Sequence, residues 1–129
     1  MRRALFELLP DVDGPVYELG AGWGTLTGRL AERYSHVIGY EMSPIPYLIA
    51  ALRGLRHRSL TCRFGNFWKR DLGDAKLVVC YLYPEAMKRL IDHLPQGCRI
   101  ITHTFAIPHL TPIKIVRADD LYRTPIYVY

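Results

Sequence analysis

The sequence contains few cysteines and histidines, and none of them is spaced as in a metal site or a disulfide framework. Cys62, Cys80 and Cys98 are widely separated and form no Cys-x-x-Cys pair, and the five histidines form no His-x-x-x-His pair. Zinc sites and disulfide-rich secreted domains normally show such spacings. We therefore expect no metal site, and we expect the cysteines to be small apolar residues in strands.

Long apolar segments are also missing. No run of about 18 apolar residues is present, although a membrane-spanning helix needs one. The first residues are predicted to form a short helix over residues 2–9, which has neither the apolar core nor the cleavage site of a signal peptide. We therefore expect no membrane span and a cytoplasmic location.

What the chain does have is enough apolar sequence for a core. Its 129 residues are 50% hydrophobic and 22% charged, which predicts one globular domain over residues 1–129. The net charge is +5, with a concentration of basic residues in the middle of the chain. Attraction to an acidic partner or to RNA and an ordinary solvated helix end both remain open. These basic residues are Arg53, Arg56, Arg58, Arg63, Lys69 and Arg70.

The most informative stretch is residues 16–24, Val-Tyr-Glu-Leu-Gly-Ala-Gly-Trp-Gly. It predicts a short strand that includes an acid, Glu18, followed by a glycine turn and a helix whose N-terminus attracts anionic groups. A second acid, Glu41, closes the next apolar run 23 residues later. A carboxylate at the end of a second strand is suited to binding both hydroxyls of a ribose. The pattern therefore predicts a nucleoside cofactor.

The spacing of the glycines distinguishes between cofactors. The dinucleotide fingerprint Gly-x-Gly-x-x-Gly needs a third glycine where this chain has Thr25. The pattern Glu-x-Gly-x-Gly-x-Gly instead resembles class I S-adenosylmethionine-dependent methyltransferases, in which the loop receives a methionine carboxylate and ammonium. This resemblance implies S-adenosyl-L-methionine as cofactor. The implied cofactor-binding residues are Glu18, Gly20, Ala21, Gly22, Gly24, Glu41, Met42, Asn66 and Phe67.

The same resemblance, with the alternation of predicted strands and helices, implies the fold. We expect an α/β, Rossmann-like, doubly wound and mostly parallel seven-stranded sheet in the order 3-2-1-4-5-7-6, with a C-terminal antiparallel hairpin. Two helices are predicted to bury apolar stripes against it. The stripes are Ile45, Leu48, Ile49 and Leu52 in one helix and Met87, Leu90, Ile91 and Leu94 in the other.

The acceptor side of the site is expected at the end of the fourth strand. Tyr83 and Pro84 occupy the position where class I methyltransferases place substrate-facing residues, and we predict them as catalytic; an ordinary strand-to-helix turn is the alternative. Asn66 either contacts adenine or caps a turn. Phe67 either stacks on adenine or packs in the core. His103 ends the fifth strand, as a site residue or as a partly buried histidine.

Three stretches together resemble the small protein-lysine N-methyltransferases that modify the ATP synthase c-ring protein and the adenine nucleotide translocase. They are residues 16–24 with Gly39-Tyr40-Glu41, residues 81–84, and residues 100–108. The resemblance implies a protein lysine as methyl acceptor. The chain departs from that pattern at Asn66 and Thr104, where the family usually has acids, and in its short N-terminal segment.

Other interpretations stay open. An RNA or small-molecule methyltransferase on the same fold would use the basic middle of the chain, and a non-catalytic S-adenosylmethionine-binding module would explain the departures. We also expect that a partner or a homo-oligomer completes a site left open by the short N-terminal segment.

Overall fold

A computed structural model describes residues 2–129 of the chain; Met1, the first residue of the predicted 1–129 domain, lies outside the described residues. Strands and helices alternate as far as the fifth strand, and two more strands complete the fold. The helices are α1 (Arg2–Glu7), α2 (Thr25–Arg33), α3 (Pro44–Gly54) and α4 (Pro84–His93), with a 3-10 turn at Phe67–Lys69. The strands are β1 (Val16–Leu19), β2 (Val37–Glu41), β3 (Leu60–Phe64), β4 (Leu77–Cys80), β5 (Arg99–His103), β6 (Lys114–Arg117) and β7 (Pro125–Val128).

The seven strands form one sheet in the order β3-β2-β1-β4-β5-β7-β6, which confirms the predicted order. Strands β1 to β5 pair in parallel, and β7 pairs antiparallel with both β5 and β6. The parallel strands therefore end at the same edge of the sheet, where the loops after β1, β2, β4 and β5 meet.

The sheet is buried on both faces. Val16 and Tyr17 are neighbours in β1 but belong to different hydrophobic clusters, because successive side chains of a strand point to opposite faces. Helices α1 and α2 add Leu5 and Leu30 to one cluster, and α4 adds Met87 to the other. Packing on both sides fixes the strands whose carboxyl ends carry the candidate site.

Helix α3 corrects one prediction from the sequence. Ile45, Leu48 and Leu52, three of the four residues expected to face the core, are exposed, and the fourth is half-buried. The inward side of the helix is instead formed by Ala50 and Gly54. The helix approaches the start of α2 and strand β3 so closely that only small residues fit between them.

The region from β4 to α4 agrees with the prediction except in detail. Strand β4 ends at Cys80, two residues earlier than expected, and α4 begins at Pro84. Met87 and Leu90 are buried, but Ile91 is 39% exposed and does not face the core as predicted. The end of β4 matters below because it decides which tyrosine faces the site.

Cys62 and Cys80 lie in β3 and β4 as predicted, and all three cysteines are free thiols. Within residues 2–129, no group of three or more His, Cys, Asp or Glu side chains could hold a metal ion. None of the helices formed by these residues is long and apolar enough to cross a membrane.

Candidate active site

A cavity of about 240 Å³ opens at the carboxyl edge of the sheet, between the ends of β1 and β4. Strand β1 pairs with β2 on one side and β4 on the other, so the chain reverses its direction of winding here. Open α/β sheets bind ligands at such switch points. The cavity is lined by Glu18, Gly20, Ala21, Gly22, Trp23, Thr25, Leu26, Val79, Cys80, Tyr81 and His103.

The glycine loop after β1 forms one wall of this cavity. Gly22 has a φ of 56°, and a Cβ added there would meet no atom within 4 Å, so the backbone is open on this side. Gly24 has a φ of 80°, and its added Cβ would lie 2.7 Å from the Cα of Ala50. Of the predicted loop residues, Gly24 alone is not part of the cavity wall; its small size allows α2 to approach α3.

The Glu18 side chain lies behind the loop and is only 6% exposed. Thr27 of α2 donates a hydroxyl hydrogen bond to Glu18 Oε2. Burial, together with repulsion from the Glu41 carboxylate, raises the pKa of Glu18 to about 8, although the Thr27 bond opposes this shift. Within residues 2–129, Lys and Arg side chains form ion pairs with other acids but not with Glu18. A cation entering the cavity would therefore meet a carboxyl group that favours ionisation in its presence.

Glu41, at the end of β2, bridges the glycine loop and the start of α3. Its Oε2 accepts a hydrogen bond from the Gly22 N–H at 2.7 Å, and its Oε1 accepts one from the Ser43 N–H at 3.0 Å. Each carboxylate oxygen keeps a lone pair for a further donor. Met42 follows directly and is 58% exposed. The carboxylate is held at the same edge of the sheet as the cavity without being part of its wall.

The two residues predicted to contact adenine have other contacts. The Asn66 side-chain oxygen accepts a hydrogen bond from the Trp68 N–H at 3.0 Å and caps the 3-10 turn. Phe67 is 5% exposed and belongs to the core cluster, with its ring 4.4 Å from that of Trp68. The expectation that Phe67 stacks on the cofactor is therefore wrong, because its ring is covered by the protein itself.

The far wall of the cavity is aromatic. The ring of Tyr81 is stacked on His103 at 4.8 Å between centroids and on Phe105 at 5.9 Å. Burial lowers the pKa of the His103 imidazole below its usual 6.5. A tight turn holds this arrangement: Thr102 Oγ1 donates to the Phe105 carbonyl oxygen at 2.9 Å, and Thr104 has a φ of 72°. Backbone conformations of this kind concentrate at functional sites.

Tyr83 and Pro84 lie outside the cavity wall. Because β4 ends at Cys80, Tyr81 is the residue that faces the glycine loop, while Tyr83 is 65% exposed at the start of α4. Their part in acceptor binding stays a prediction. No role was predicted for Trp23, which is 52% exposed on the cavity wall. An aromatic residue inside a glycine loop was the available signal.

The switch-point cavity, the glycine loop and the carboxylates at the ends of β1 and β2 define a class I, S-adenosylmethionine-dependent methyltransferase. Comparison with known families narrows this assignment. Residues 18–114 match the model of the ANTKMT methyltransferase domain, and the chain belongs to that family.

Individual relatives agree with the family. The chain is 29% identical over 113 residues to the lysine N-methyltransferase of the ATP synthase c-ring protein from Rattus norvegicus, covering 82% of this chain and 52% of that protein. It is 27% identical over 130 residues to a protein-lysine N-methyltransferase of Saccharolobus islandicus, covering 93% and 80%. The chain thus spans about half the length of the rat relative.

A solved structure resembles the whole chain. An RNA methyltransferase from Salinibacter ruber, in complex with S-adenosyl-L-homocysteine, superposes with a TM-score of 0.84 at 25% identity. The match covers 99% of this chain and 88% of that one. The fold of this protein therefore corresponds to almost an entire methyltransferase.

Proposed function

We propose that the protein transfers a methyl group from S-adenosyl-L-methionine to the side-chain amine of a lysine in another protein. The observation that carries the proposal is the cavity that joins the glycine loop after β1 to the ends of β4 and β5. The relatives named as protein-lysine N-methyltransferases support lysine as the acceptor.

The residues present fit the methyl donor. The buried Glu18 carboxyl has no basic ion-pair partner within residues 2–129 and suits the ammonium of its amino-acid end, with Gly20, Ala21 and Gly22 leaving backbone open to it. Glu41, supported by its position before Met42, suits the ribose hydroxyls. When bound, S-adenosylmethionine supplies a methyl group that is already activated.

Asn66 and Gly24 support the site from outside the cavity. Asn66 holds the turn after β3 through its bond to Trp68, and Gly24 allows α2 to pack on α3. Tyr83 and Pro84, exposed beside the cavity mouth, are proposed to contact the acceptor protein and not the transferred group.

His103 is proposed to accept the proton that a lysine ammonium must lose before it can attack. It lies on the cavity wall opposite the glycine loop, and burial keeps its imidazole neutral near pH 7. The titratable groups that share the cavity are Glu18, Cys80 and Tyr81, and its pairing partner in β7, Ile126, is apolar. The Tyr81 ring offers a face that attracts the incoming ammonium.

The acceptor class is tested with methyl-labelled S-adenosylmethionine and two fractions of one cell lysate, total protein and total RNA. Label on protein, located on lysine by mass spectrometry, is expected. Label on RNA would contradict the lysine acceptor but not methyl transfer. No label in either fraction, from protein that binds S-adenosylhomocysteine, would favour a non-catalytic module.

The same assay tests His103. The His103→Asn variant is expected to lower the rate at neutral pH by roughly 100-fold or more. The deficit should shrink near pH 10, where lysine loses its proton unaided. His36→Asn, at an exposed histidine before β2, is the matched control and should keep the wild-type rate. A deficit that stays constant with pH would assign His103 a purely structural role.

A further inference from the structure

Helix α3 presents a row of large apolar side chains to the outside. Ile45 and Leu52 are each 66% exposed, Leu48 is 58% exposed, and Leu55, just after the helix, is 82% exposed. Their spacings of three and four residues place them on one face. Together with Met42 they form what we call the α3 surface.

The packing of α3 fixes this orientation. Ala50 on the opposite side contacts Gly24, where an added Cβ would lie 2.8 Å from the Ala50 Cβ. A Cβ added at Gly54 would lie 3.3 Å from Leu60 of β3. The helix cannot rotate its leucines inward, because larger side chains do not fit at these contacts.

The charge around the α3 surface has one sign. From Met42 to Arg70 the chain contains no Asp or Glu. Arg63 and Arg70 line a shallow recess with Tyr47 and Phe64 at one side of α3. On the side toward α2, Arg53 donates to Thr25 Oγ1 at 2.8 Å. The basic residues of this stretch are Arg53, Arg56, Arg58, Arg63, Lys69 and Arg70.

We propose that the α3 surface docks on the surface of an anionic lipid bilayer. Aliphatic side chains on an exposed helix face enter the boundary between headgroups and acyl chains, and surrounding arginines meet anionic headgroups. Both features are present on one side of the protein.

Other occupants fit less well. A second copy docking through the same surface would bring two like-charged basic regions together, which opposes association. Single-stranded RNA is held by aromatic side chains that stack on bases, whereas the α3 surface is aliphatic.

The α3 surface adjoins the candidate active site. Met42 follows Glu41, and the Ser43 N–H at the start of α3 donates to the Glu41 carboxylate. Docking would hold the edge of the sheet that carries the cavity close to the bilayer, within reach of an acceptor lysine at that surface.

The test is flotation with phosphatidylcholine vesicles, with and without phosphatidylglycerol. Wild-type protein is expected to float only with phosphatidylglycerol, and less at high salt. A Leu48→Ser/Leu52→Ser variant should bind at least about tenfold more weakly, as should Arg56→Glu/Arg58→Glu. The matched control, Leu121→Ser/Tyr122→Ser, alters two side chains that are 89% and 85% exposed in the loop between β6 and β7 and should float like wild type.

Thermal unfolding of each variant checks that folding is intact. Failure of wild-type protein to float, or equal flotation of the Leu48→Ser/Leu52→Ser variant, would overturn the proposal. A concentration-dependent dimer that this variant abolishes would assign the surface to a second copy. Retention on RNA that only the arginine variant loses would assign it to nucleic acid, and both results would also overturn the proposal.

Discussion

Glu18 is buried beside the Glu41 carboxylate, and its one hydrogen-bond donor in the protein is the Thr27 hydroxyl. Strand β1 places it there, directly before the glycine loop. Burial of an acid without a cation costs stability when the acid ionises, and the protein reduces that cost by keeping a proton on it. At the residue scale, this is the clearest sign that the site is built for a positively charged ligand group.

The stability of the free protein should therefore depend on pH through Glu18. Its pKa is raised from 4.5 to about 8. Between these values the folded protein keeps a proton that the unfolded chain has released. The free energy of unfolding should then be greatest below the unfolded pKa and fall as the pH rises toward 8.

Thermal unfolding between pH 5 and about 9 measures this dependence. The Glu18→Gln variant, which carries no ionisable group, should lose most of the decline. The same decline in wild type and variant would show that Glu18 is not the group responsible.

At the scale of single elements, the glycine loop and α3 depend on each other. Gly22 faces open space, and Gly24 contacts Ala50, although both have left-handed backbones. Two glycines of one motif thus do different work. The first keeps the cavity wall open, and the second lets two helices pack closely.

Alanine substitutions should separate these roles. Gly22→Ala is expected to lower the free energy of unfolding by about 1–2 kcal/mol, the cost of a left-handed alanine, and to weaken binding of S-adenosylhomocysteine. Gly24→Ala should cost roughly a further 1–3 kcal/mol because its Cβ overlaps Ala50.

Denaturant unfolding and calorimetric titration of the two variants provide the comparison. Equal stabilities would contradict the close contact between α2 and α3. Unchanged affinity in Gly22→Ala would contradict the assignment of that glycine to the cavity wall.

Across the whole molecule, the features predictable from sequence were those with local causes. The alternation of strands and helices and the motif from Glu18 to Gly24 led to the correct sheet order, because each signal lies within a few neighbouring residues. The same motif brought Glu18, Gly20 and Gly22 to one cavity.

The remainder depended on long-range packing. Which tyrosine faces the cavity depends on the residue where β4 ends, and a shift of a single position reverses a strand side chain. Phe67 and Ile45 were misassigned because an apolar residue does not itself reveal whether another element covers it. For α3, the small residues Ala50 and Gly54 decided the orientation against the apolar stripe.

Calorimetric titration of the protein with S-adenosylhomocysteine tests the central claim most directly, with NADH as the control ligand and Glu41→Ala as the control variant. We predict micromolar binding of S-adenosylhomocysteine, no binding of NADH, and affinity about tenfold or more weaker in Glu41→Ala. Absence of S-adenosylhomocysteine binding, or equal binding of NADH, would contradict the account. Unchanged affinity in Glu41→Ala would contradict the ribose assignment alone.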